Sequence, residues 1–158
     1  MTLERWLAWG FGATVLLTTI LAGTQGLGLT RMNLPYLLGT MLTPDRDRAK
    51  VLGIALHLVN GWIFALVYFG IFRATGHASA AFGAAVGVVH GAFVVAVALP
   101  ALPGLHPRMA RPGAGPTEVR RLEPPGFLGL HYGFQTPTSV VLAHAVFGAI
   151  LGLVASWP

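Results

Sequence analysis

The sequence predicts an all-α membrane protein: four transmembrane helices, one short interfacial segment and a long Pro/Gly-rich loop on the cytoplasmic side. Three observations predict it. Of the 158 residues, 54% are apolar and only 9% are charged, against about 25% charged in a soluble domain. Mean hydropathy is +0.69. All ten Lys/Arg and all five Asp/Glu fall outside four long uncharged stretches. Together these exclude a soluble globular enzyme and a disordered chain. They also leave no role for nucleic acid as a partner, because clustered arginine in a membrane protein sets orientation. With no cysteine in the chain, disulfides, thiol relays and thiolate-held metal centres are excluded as well.

The chain reads as a single transmembrane domain over residues 1–158. The first span covers about 6–29. Its apolar run is as long as a full crossing, so it is expected to be a retained helix rather than a signal peptide. The following stretch has an apolar core, Leu34–Leu42, of nine residues; that is too short to cross and suits a segment lying at the interface. The second span, 51–72, holds 22 residues, about 33 Å of helix. A third span at 80–99 is expected to end at Pro100, and a fourth covers 138–157. Residues 100–137 hold eight of the eleven prolines, a loop long enough to be expected to carry function or order of its own.

Basic residues set the expected orientation. Arg31, Arg46, Arg48, Lys50, Arg108, Arg111, Arg120 and Arg121 lie in the two long loops, whereas only Arg5 and Arg73 lie on the other side. The bias places both loops in the cytoplasm and both termini outside a bacterial plasma (inner) membrane. Trp6, Trp9, Tyr68 and Trp157 then read as an outer aromatic belt, which does not account for Trp62 in mid-span.

The spans carry histidine. His57 and His144 each lie about 9 Å in from the loop-side start of their spans, and His90 about 13 Å in from the loop-side end of its own. Asn60 lies one turn beyond His57, and Thr19 and Thr24 reach comparable depth in the first span. Glycine rows flank all three histidines: Gly53 and Gly61, then Gly83, Gly87 and Gly91, then Gly148 and Gly152. Small residues mark close helix packing, so the imidazoles are expected to face the bundle interior.

Three neutral imidazoles could ligate a transition metal with one position left open, and two could bind haem axially. A His–Asn–Thr chain could instead conduct a proton or a small solute. The plainest alternative is a structural or accessory membrane subunit whose histidines bond neighbouring helices. The expected site is a metal or haem centre of His57, His90 and His144. Asn60, Thr19 and Thr24 would support it, and His106 and His131 of the long loop would cap it. Otherwise the loop is solvated and binds partners. The expected partners are the lipid bilayer and a homo-oligomer or larger membrane complex. No carboxylate lies in a span, no Gly-x-Ser-x-Gly occurs, and serine is confined to Ser79, Ser139 and Ser156. Carboxylate-coupled transport and serine hydrolysis therefore have no residues to act through.

The strings LPYLLGTMLTPDRDRAKVLGIALHLVNGWIFALVY, HPRMA, LEPPGFLGLHYGFQTP and HAVFGAILG resemble an uncharacterised bacterial family of small four-span integral membrane proteins. The resemblance covers nearly the whole chain, including His57, His90 and His144. It implies the four-span architecture and no particular activity.

Overall fold

The structure is a computed structural model and describes residues 2–111, 113 and 115–157. Helix α1 (Leu3–Gly26) is followed by short α2 (Leu34–Leu42), long α3 (Arg46–Thr75), α4 (Ala80–Phe93), α5 (Leu99–Leu105) and α6 (Thr136–Ser156). Four helices are long and apolar enough to cross a membrane: α1, α3, α6 and the continuous rod Ala80–Leu105. The chain is a polytopic all-α membrane protein.

Local chemistry fixes the helix starts. The side chains of Thr2, Asn33, Asp45 and Ser79 each accept a hydrogen bond from the backbone N–H three residues on, which satisfies a donor with no partner in the helix. Pro35 sits in the first turn of α2, where its missing N–H costs nothing. At the other end of α3, Gly76 takes the left-handed conformation (φ 64°) and stops the helix.

Helix α3 starts five residues before the expected span and ends three after it, α1 is shifted three residues earlier, and the end of span three departs most. Span three does not stop at Pro100 but continues to Leu105. Proline in an α-helix clashes with the carbonyl four residues back. Here Val94–Ala98 is π-helical, and the wider turn just ahead of Pro100 relieves that clash. The interfacial segment, by contrast, keeps its expected bounds as α2.

Helix α6 is the centre of the bundle, packed on α4, α1 and α3. It meets α4 through glycine: a Cβ at Gly83 would land on the Gly148 carbonyl, and one at Gly148 on the Gly83 carbonyl. Helices α2 and α3 close up in the same way, with Gly39 on the Ala49 carbonyl and Gly53 on that of Pro35. The core is formed by Ala13, Leu17 and Leu21 of α1, Ala65 and Phe72 of α3, and Val140, Phe147 and Leu151 of α6. The outside stays apolar: Val89 is 70% exposed, Val51 69% and Ile63 53%. Such a surface needs lipid around it.

Trp62 has a structural role. Its indole N–H donates to the Leu7 carbonyl at 2.9 Å, and the Trp6 indole donates back to the Trp62 carbonyl at 2.9 Å. The pair ties α1 to α3 where the helix carbonyls still have a lone pair to offer.

The long loop is ordered through backbone carbonyls held by arginine. Arg108 donates to Thr40 O at 2.6 Å, and Arg120 donates to His106 O and Met109 O, each at 3.1 Å. Arg31 pairs with Glu123 at 3.0 Å and donates to the His131 carbonyl. A 3-10 turn, Phe127–Tyr132, leads into α6, whose buried Thr136 shares a 2.7 Å hydrogen bond with Thr30.

Candidate functional site

Helices α1, α3, α4 and α6 enclose a cavity of about 180 Å³, closed at its loop end by α2 and α5. Helix periodicity brings the polar groups there. On α3, Asn60, Gly61 and Phe64 lie three, four and seven residues after His57 and line one wall with it. His90 and Phe93 of α4 line the second, with Val94 and Ala98 of the π-helical segment. His144 and Phe147 of α6 form the third. Thus the three histidines expected to converge do share one cavity, and Asn60 lines it beside them.

The glycine rows explain how the rings reach it. A Cβ at Gly87 would strike the His144 carbonyl, and one at Gly91 would lie 3.2 Å from the His144 Cβ. Helices α4 and α6 are therefore close enough for the His90 and His144 rings to meet edge to face, with centroids 4.6 Å apart. On its other side the His90 ring lies against Phe64, centroids 4.1 Å apart.

Each imidazole has a different hydrogen-bonding state. His144 Nδ1 lies 2.8 Å from the Val140 carbonyl. A carbonyl only accepts, so Nδ1 carries the proton and Nε2 keeps its lone pair. His90 Nδ1 lies 3.2 Å from the Tyr68 hydroxyl. Tyr68 is 1% exposed; with its O–H donating to His90 Nδ1, the His90 proton is on Nε2, and with the roles reversed it is on Nδ1. His57 is buried, and its Nε2 has no hydrogen-bond partner among the described residues.

Other expected participants lie elsewhere. Thr19 is exposed and its hydroxyl donates to Val15 O at 2.8 Å; Thr24 donates to Leu21 O, also at 2.8 Å. The residue of α1 that lines the cavity is Thr14, which is buried and bonds the Gly10 carbonyl at 2.6 Å. Thr19 lies about 7.5 Å further along the helix than Thr14 and is turned by about 140° from it; Thr24 lies about 15 Å further and is turned by about 80°. His106 and His131 do not cap the cavity. His106 is fully buried, its Nε2 3.0 Å from Leu37 O and 3.2 Å from Thr40 Oγ1, and its Nδ1 accepts from the Arg108 N–H. Burial, together with the Arg108 and Arg120 cations, lowers its pKa from 6.5, against the Leu37 carbonyl, which raises it. His131 is exposed, with Nδ1 2.9 Å from the Pro124 carbonyl. The closing side chains are Leu34 and Leu38 of α2 and Leu102 of α5.

Tyr68 was expected in an aromatic belt; it is buried and holds His90. The sequence carries the signal, because Tyr68 is eleven residues after His57, three turns on and within about 20° of the same face.

No known protein family, characterised protein or solved structure matches this chain. Its function therefore has to be read from the cavity itself. Among the described residues no group of three or more His, Asp or Glu side chains is close enough to hold a metal ion. The three histidines share a cavity without forming a ligand cluster.

Proposed function

We propose that this membrane protein is a binding protein, taking a small ligand into the histidine-lined cavity between α1, α3, α4 and α6. The observation that carries this reading is His57, whose buried Nε2 has no partner among the described residues and whose ring lines a space that three imidazoles share. An unpaired buried polar atom costs about 1–3 kcal/mol, a cost that a fold keeps where the surrounding wall serves binding. The cavity, about 180 Å³, is near the ~150 Å³ of an apolar hole that takes up benzene. It is well below the ~300–1,000 Å³ of pockets for drug-sized ligands, so the space suits a small occupant and not a haem macrocycle.

A transition-metal ion is the second reading, supported by His144, whose Nδ1–H···O=C bond orients Nε2 as metal-ligating imidazoles are oriented. It requires the His90 proton on Nδ1, with Tyr68 as the acceptor. The charge bias supports termini outside and loops in the cytoplasm of a bacterial plasma membrane. The sequence strings support kinship with the small four-span bacterial proteins.

Fluorine NMR of detergent-purified protein with fluorobenzene tests the reading, alongside elemental analysis. Saturable binding that Ala98→Leu abolishes by filling the cavity is the expected result. Near-stoichiometric zinc, copper or iron that His57→Ala removes would replace it with the metal reading. Neither fluorobenzene nor metal bound to folded protein would overturn both.

A further inference from the structure

Two imidazoles face the cavity with opposite hydrogen-bonding roles. The Val140 carbonyl fixes His144 with a bare Nε2, an acceptor; the buried Tyr68 hydroxyl, whose one hydrogen-bond partner among the described residues is His90 Nδ1, satisfies its own proton by donating there, which leaves His90 Nε2 the donor. The rings lie 4.6 Å apart, one edge-on to the other. A carbonyl ligand would use only the donor and an amine cation would be repelled by it. A hydroxyl uses both, since O–H accepts and donates at one atom.

The rest of the cavity fits what a hydroxyl would be attached to. Phe64, Phe93 and Phe147 line it, and no acidic residue occurs anywhere between Asp47 and Glu118 or after Glu123. A charged ligand would therefore stay uncompensated. Its volume holds one six-membered ring. Phe93 both lines the cavity and is 51% exposed. The cavity thus reaches the face where α3 and α4 meet through aromatic side chains such as Phe64 and His90, and a ligand can enter from the bilayer without crossing water.

We infer that the cavity binds a lipid-soluble aromatic alcohol, a phenol or hydroquinone ring, with its hydroxyl between His90 Nε2 and His144 Nε2 and any apolar tail leaving past Phe93. This rests on the small-ligand reading above and gives that ligand its chemical class.

The test compares 4-fluorophenol with fluorobenzene, two probes that differ by the hydroxyl alone and share the fluorine readout. Two net hydrogen bonds predict about tenfold tighter binding of the phenol. Tyr68→Phe frees His90 from its fixed tautomer and His144→Leu removes the acceptor. In each, the phenol preference falls to less than about threefold while fluorobenzene still binds. Tyr68→Phe removes a single oxygen, so it keeps the test sharp if His144→Leu fails to fold. Nitrogen NMR of histidine-labelled protein adds a direct readout: His90 protonated at Nε2 and His144 at Nδ1. Equal affinity of the native protein for both probes would overturn the inference and leave the cavity reading standing. Binding of neither probe would remove the cavity reading itself.

Discussion

Replacing Gly148 by alanine probes the seam on which the site is built. The new Cβ would lie 2.9 Å from the Gly83 carbonyl carbon and 2.9 Å from Tyr68 Cε1, and nearer still to the Gly83 oxygen. Ordinary contact begins at 3.4 Å, so the Tyr68 ring must retreat by 0.5 Å, the difference of those two distances, and α4 by more than that because the Gly83 oxygen is nearer still. The obstacle on one side is main chain, which cannot rotate away as a side-chain tip can. Overpacking of this kind costs about 1–3 kcal/mol. The same substitution gains about 0.8–1.0 kcal/mol of helix propensity, and Gly70→Ala measures that gain alone, since its Cβ meets nothing within 4 Å. Gly148→Ala should therefore be less stable than Gly70→Ala by about 1–3 kcal/mol. Reversible unfolding in mixed micelles, followed by tryptophan fluorescence, reads the difference. Equal stability of the two variants would refute the idea that bare backbone contact sets the α4–α6 spacing.

Two further outcomes are expected. His106 is held neutral in the fold, with its pKa lowered chiefly by burial. Above about pH 6.5 it is neutral folded and unfolded alike; on acidification the unfolded chain takes up the proton first, so its contribution to stability falls as pH falls through the folded pKa. His106→Asn should be less stable at pH 7.5 yet lose less between pH 7.5 and 5.5, and an unchanged pH slope in unfolding experiments would contradict this. For orientation, the chain has no native cysteine. Thr2→Cys should react with a membrane-impermeant maleimide on intact cells, and Glu118→Cys only after lysis. The reverse pattern would invert the topology inferred from the charge bias.

The fold was largely legible because its causes are local or one-dimensional. Four uncharged runs fix four crossings, and a nine-residue apolar run fixes a helix too short to cross. Asp45 and Ser79 sit where a chain leaves a turn and needs a side-chain acceptor. Pro100 misled because the rule that proline ends a helix presupposes the α ladder. The π-helical segment Val94–Ala98 removes the clash on which the rule depends, and no residue in VVAVA announces that change.

The site was legible in depth at the histidines and less so in the first span. In the first span both depth and angle differ: Thr19 and Thr24 lie about 7.5 and 15 Å along the axis from Thr14 and on other faces, whereas Thr14 follows Gly10 at the small-residue spacing of a packed face. The same arithmetic carried through α3 places Tyr68 above His57, inside the bundle and not on its rim. What no periodicity could supply is the direction of each proton. His90 and His144 are the same residue type at similar depth, and the opposite roles proposed for them rest on one tyrosine hydroxyl and one main-chain carbonyl. The proposed preference for an alcohol therefore rests on Tyr68, and Tyr68→Phe is the substitution that tests it.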